Sequence, residues 1–175
     1  MLVHFCGRPP GTSTNPELAP AIAQMSPEER LTNILWEQAI WGTAAFRSGP
    51  NAVSFSEVSG AHLHWLIYSR GFPPWGLIFD RQTIYNAGGG PVWYARREQA
   101  AAASQAGLSE WVVPFDTTWG ARSDWVHEQE WRLPREGWRP PRPAASSESW
   151  SDEPTGSRGV SSMCRPVGCS SQTDH

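Results

Sequence analysis

The sequence contains no lysine: all 14 of its basic residues are arginine. A GC-rich coding sequence would produce that bias without a functional cause, but the chemical consequences stand. Schiff-base catalysis through a lysine amine is excluded. So is a glycine-rich phosphate loop ending in Lys-Ser/Thr, and so is any nuclease that needs a lysine beside two carboxylates. Cysteine is scarce too. Cys6, Cys164 and Cys169 make an odd count, and their spacings fit neither a disulfide framework nor a zinc site. Positive charge is not in excess, with a net charge of -3 and a pI of about 5.9. No global basic surface is therefore available to a nucleic-acid backbone, although a local arginine patch could meet a phosphate. No apolar run reaches the length of a signal peptide or a membrane span. The expectation is a soluble, cytoplasmic protein with no membrane partner.

Tryptophan, by contrast, is abundant: there are 11 in 175 residues. Each brings a large apolar face and one N–H donor. They can fill a core despite a hydrophobic fraction of only 39%, and some can line a ligand cleft.

The chain divides into one domain over 1–138 and a tail over 139–175 rich in Pro, Ser, Gly and acidic residues. The tail has no apolar period with which to offset its ordering entropy, so it is expected to be disordered. In the domain, Leu2 to Cys6 reads as a strand, followed by a Pro/Gly-rich loop to Pro20. Ser26, Pro27 and Glu29 form a capping signal for a helix with Leu31, Ile34 and Leu35 on its apolar stripe. Ala52 to Glu57 is a second strand, and Ser59 caps a helix over Gly60 to Ser69. Trp75 to Asp80, Pro91 to Tyr94, Trp111 to Phe115 and Trp125 to Leu133 are further strands. Arg96 to Ala106 is a third helix. The fold class expected is α+β, with small, mixed, mostly antiparallel sheets and two or three helices.

The last strand carries the densest cluster of functional groups. Side chains alternate between faces along a strand, which predicts that Glu128, Glu130 and Arg132 share one side. Two neighbouring carboxylates raise each other's pKa and an adjacent arginine lowers it. Such a set can stabilise a cation, orient a hydroxyl or act as a base. The plainer alternative is a solvated strand face. Ser54 and Ser56 likewise point together off the second strand, as a polar-ligand site or as an edge strand's hydrophilic face. His4, flanked by apolar residues, has the setting of a satisfied core histidine.

Three weaker signals carry less. Asn86 to Gly90 is glycine-rich but precedes a strand rather than a helix, which makes it a turn and not a phosphate loop. His62 and His64 point to different sides of a helix. No Gly-x-Ser-x-Gly nucleophile elbow occurs.

Two resemblances order these pieces. His4-Phe5-Cys6, followed by Arg30-Leu31-Thr32-Asn33-Ile34-Leu35, resembles the start of ADP-ribosyltransferase-like domains, in which a His-x-Thr strand precedes an Asn-Leu-x-x-Ile-Leu-x-x-Gly-Leu helix. Cys6 here replaces the Thr, and Ala39 stands near the expected Gly. Phe55-Ser56-Glu57, Gly76-Leu77-Ile78-Phe79, Pro91-Val92-Trp93-Tyr94 and Glu128-Gln129-Glu130-Trp131-Arg132 resemble a bacterial family, some of whose members are linked to abortive phage infection. The resemblance spans most of 1–134.

It implies an ADP-ribosyltransferase-like split sheet with NAD as the substrate bound in the cleft. The implied activity is that of a glycosyltransferase or NAD hydrolase serving as a toxin or phage-defence effector. Glu130 would stabilise the oxocarbenium-like transition state and Glu128 would orient the acceptor, a protein or nucleic acid. His4, Ser54, Ser56 and Arg132 would hold the NAD. On this reading His4 and Glu130 line one cleft. Two other readings remain open: a non-catalytic interaction or antitoxin module with an exposed Trp-rich patch, and a metal-dependent nuclease or hydrolase built on Glu57, Glu128 and Glu130.

Overall fold

A computed structural model describes residues 1–9, 20–44, 50–118 and 124–141. The expected tail lies outside the described residues from position 142 onward, as do Cys164 and Cys169. Arg139 itself is tied to the domain, its Nη1 donating to the Glu37 carbonyl at 3.0 Å.

The fold is α+β with mostly antiparallel pairing. Strand β1 is Leu2–Phe5. Helices α1 (Pro20–Gln24) and α2 (Pro27–Glu37) follow. In α2 the expected capping box is present: the Ser26 hydroxyl accepts the Glu29 N–H, and the Glu29 carboxylate accepts the Ser26 N–H. The helix stops where Gln38 turns left-handed, at φ 53. Two short strands come next, β2 (Ile40–Trp41) and β3 (Thr43–Ala44), then the long strand β4 (Asn51–Glu57). Helix α3 is Gly60–Tyr68, capped by Ser59 and anchored by buried Leu66. Strand β5 is Gly76–Phe79 and helix α4 is Arg81–Asn86. Strands β6 (Gly90–Pro91) and β7 (Trp93–Ala95), helix α5 (Arg97–Gln105), and strands β8 (Val112–Pro114), β9 (Glu130–Pro134) and β10 (Gly137–Trp138) complete the order.

Five helices are present among the described residues, where two or three were expected. The additional α1 and α4 span five and six residues, and α4 buries only Ile84. Helices that short show no apolar period to read. The run Pro91 to Tyr94, expected as one strand, is divided between β6 and β7, which belong to different sheets.

The main sheet has six strands, ordered β5-β1-β4-β9-β6 with β3 also paired to β4. Two two-stranded sheets accompany it: β10 with β2, antiparallel, and β7 with β8, parallel. The registers fix which side chains share a face. Leu2 lies opposite both Glu57 and Phe79, and Phe55 opposite Trp131. One face therefore carries Leu2, His4, Val53, Phe55, Leu77, Phe79, Trp131 and Leu133. With Leu31, Ile40, Ile84 and Trp138 from other elements, most of these form the largest core cluster. Gly76 lets β5 approach β1 closely, since a Cβ there would lie 2.5 Å from the His4 carbonyl oxygen.

The opposite face has two parts. Over β5 and β1, Val3, Phe5 and Ile78 are covered by Leu66 and Phe72 around α3, which form the second cluster. Over β4 and β9 the same face turns polar: Ser54, Ser56, Glu130 and Arg132.

Candidate functional site

The polar strip follows from strand alternation and register. Ser54 lies opposite Arg132, and Ser56 opposite Glu130. The Glu130 carboxylate receives three hydrogen bonds among the described residues. Ser54 Oγ and Arg132 Nε both donate to Oε1 at 2.8 Å, and Arg132 Nη2 donates to Oε2 at 3.2 Å. Arg132 is only 1% exposed, and its Nη1 donates to the Glu110 carbonyl at 2.9 Å. Gly90, its partner on β6, has no side chain, and the Trp111 ring lies 3.3 Å from where a Cβ would stand. Arg132 is thus roofed by the 3-10 turn Ser109–Trp111. A two-point Arg–carboxylate pair of this kind fixes geometry as well as charge. Ser56 is buried beside it.

Tyr94 of β7 closes one side of the strip. Its hydroxyl oxygen accepts the Glu130 backbone N–H at 2.8 Å. The hydroxyl proton has no acceptor among the described residues and is available to a ligand. Burial pushes the Tyr94 phenol up to about 12, so it stays a donor.

The structure corrects the position of Glu128. It was expected on the same strand face as Glu130, but residues Val126–Glu128 form a 3-10 turn and Gln129 is left-handed at φ 44. Strand alternation begins only at Glu130. Glu128 is nevertheless electrostatically coupled to the strip. Desolvation raises its pKa first, opposed by Arg8, reinforced by Glu130, and opposed again by Arg70 and Arg132. Its half-buried carboxyl makes no hydrogen bond or ion pair among the described residues. The two carboxylates therefore differ in kind: Glu130 is committed to Arg132 and Ser54, whereas Glu128 is uncommitted.

His4 does not join them. It lies on the opposite face of the sheet, ring to ring with Phe55 at 5.9 Å. Its Nδ1–H donates to the Ser54 carbonyl at 2.9 Å. Burial lowers its pKa, partly offset by that bond. This is the satisfied core histidine of the plainer reading. The expectation that His4 and Glu130 line one cleft fails because β1 and β9 flank β4 in a register that sends their side chains to opposite sides. Arg8, just past β1, acts through its charge on Glu128, and no local pattern distinguished it.

Glu57 also belongs to the other face. It accepts Trp131 Nε1–H at 2.8 Å and pairs with Arg81. Glu57, Glu128 and Glu130 therefore do not surround one cation, and no cluster of metal-ligating side chains occurs among the described residues. Beside Glu57 lies an open groove of about 770 Å³, lined by Met1, Asp80, Arg81, Gln82, Tyr85 and Trp131. No helix among the described residues is long and apolar enough to cross a membrane. No family model, curated protein or solved structure matches this chain.

Proposed function

We propose that the polar strip over β4 and β9 binds NAD and cleaves its nicotinamide–ribose bond, passing the ADP-ribosyl group to water or to a macromolecular acceptor. One observation carries this reading. A half-buried Glu128, unpaired among the described residues, precedes a hydrogen-bonded Ser54–Glu130–Arg132 network, and the Tyr94 phenol proton has no acceptor among those residues. Breaking an N-glycosidic bond builds positive charge on the sugar, and a preorganised carboxylate stabilises that charge better than reorganising water.

In this reading the roles of the two carboxylates are exchanged relative to the expectation from resemblance. The charge of Glu130 is largely answered by Arg132, so Glu130 positions the site. Glu128, with no bonded partner, faces the developing oxocarbenium and takes the proton of the incoming nucleophile. Its pKa, raised by burial, makes it a stronger base than an exposed glutamate. Ser54 and Ser56 floor the strip, and Tyr94 donates to a ribose or amide oxygen. The charges of Arg8 and Arg70 both act on Glu128 and would draw an anionic pyrophosphate toward it. The β7–β8 pair, which contributes Tyr94, would be the second sheet of an ADP-ribosyltransferase-like split arrangement. A toxin or phage-defence role belongs to the same proposal.

The test is nicotinamide release from NAD by the purified full chain. Wild type is expected to turn over, and Glu128→Gln to lose at least about 100-fold in kcat/KM with a melting temperature at or above that of wild type. Absence of turnover by wild type under any condition that keeps it folded would overturn the reading.

A further inference from the structure

The α3 helix and the 3-10 turn before β9 meet in a second cluster that the reaction above does not use. Arg70 Nη2 donates to His127 Nε2 at 3.0 Å. The Arg70 guanidinium carbon lies 5.8 Å from the Trp65 ring centroid. Trp65 meets His127 edge to face at 5.9 Å, and His62 lies tilted against Trp65 at 5.8 Å. Trp125 stands 6.4 Å from His127, its ring tilted by 32°.

The charge state of the cluster follows from its bonds. Nε2 of His127 is an acceptor for Arg70, and a backbone bond from His127 to Asp124 accounts for the other ring nitrogen. Such a ring is neutral, with its proton on Nδ1. Burial and the Arg70 charge hold its pKa down, with Asp124 opposing and His62 adding to the depression. Arg70 therefore sets its positive charge beside a neutral His127 ring. Only one of the Arg70 guanidinium N–H groups is hydrogen-bonded among the described residues, while Trp65 keeps 39% of its surface exposed. An exposed indole beside an immobilised guanidinium with unspent donors matches a flat π-system that carries an anion. A plain anion would leave the indole unused, and an apolar peptide would leave the guanidinium unanswered.

We propose that Trp65, Arg70, His127 and Trp125 form a binding subsite for a nucleoside monophosphate unit, with the base stacked on Trp65 and the phosphate on Arg70. The unit is shared by a free nucleotide and by the end of a single-stranded nucleic acid. His127 immediately precedes Glu128, on which the Arg70 charge also acts, so a phosphate on Arg70 would sit toward Glu128. Only the continuation of the ligand into that strip rests on the proposed function; the subsite itself does not.

Calorimetric titration of the full chain at low salt separates the possibilities, with AMP, adenosine, inorganic phosphate and a short single-stranded oligodeoxyadenylate as probes. AMP is expected to bind, with adenosine and phosphate each weaker by about tenfold or more. Trp65→Ala and Arg70→Ala should each weaken AMP by about tenfold. Both side chains are exposed, so the variants should melt with wild type. A large gain for the oligonucleotide over AMP assigns the subsite to a strand end, and parity assigns it to a free nucleotide; both support it. Failure of AMP and oligonucleotide to bind overturns the subsite, as does binding that neither substitution alters. If AMP binds but NAD is not consumed, the proposed function falls and the subsite stands.

Discussion

Strands β4 and β9 show two different surfaces built from one register. On one face Val53 and Phe55 meet Leu133 and Trp131, and the contact is apolar core. On the other, Ser54 and Ser56 meet Arg132 and Glu130, and the contact is a hydrogen-bonded network. Each face also has a carboxylate paired with an arginine. Glu57 pairs with Arg81, whose side chain is 62% exposed, whereas Glu130 pairs with Arg132, which is 1% exposed. An exposed pair is screened and contributes little. A buried pair is costly to create and more costly to break, because removing one partner strands a charge. The buried polar face is thus the expensive one, and Glu128, which burial disfavours in its charged form, adds to the expense. Strain of this kind collects where a surface is kept for function rather than for stability.

The largest expected effect comes from Arg132→Ala. It leaves the Glu130 carboxylate buried without its cation and should cost about 3–5 kcal/mol of unfolding free energy, measured by denaturant titration. A loss under about 1 kcal/mol would mean that water reaches Glu130 freely, and the contrast between the two pairs would vanish.

Next is Glu128→Gln, whose effect on stability depends on pH. The folded pKa of Glu128 is raised, so the unfolded chain loses this proton first as pH rises. Wild type therefore loses stability as pH climbs from the ordinary glutamate value, about 4.3, through the higher folded value. The Gln variant escapes that loss. It should be the more stable protein at neutral pH, with the advantage disappearing in acid below about pH 4. A variant less stable than wild type at pH 7 would show that Glu128 has a stabilising partner.

The smallest effect belongs to Arg81→Ala. Breaking the exposed pair should change stability by less than about 1 kcal/mol, and less still at high salt. A larger loss would give the two faces the same character.

Much of this contrast was legible in the sequence, because a strand has period two. Ser54 with Ser56, and Glu130 with Arg132, separate from Phe55 and Trp131 by counting alone. The capping box at Ser26 and Glu29 was equally plain, since its partners are three residues apart. Local counting could not say how β1 aligns with β9. His4 and Glu130 each had a well-defined face, but only the register through β4 shows that the faces are opposite. Glu128 was misplaced for a different reason: one left-handed residue, Gln129, ends the turn and resets the alternation. Tyr94 bonds Glu130, and Arg8 and Arg70 act on Glu128, from three separate parts of the chain, and nothing near them in the sequence marks that convergence.

The central claim is that the site lies on the Ser54–Glu130 face with Glu128 as its acting carboxylate. Nicotinamide release measured side by side for Glu128→Gln and Glu57→Gln tests it most directly, because Glu57 lies on the face of the sheet opposite Glu130, whereas Glu128 sits in the turn that leads into Glu130. The account predicts that kcat/KM falls at least about 100-fold for Glu128→Gln and stays within about twofold of wild type for Glu57→Gln. Equal losses in both variants, or a loss confined to Glu57→Gln, would contradict it.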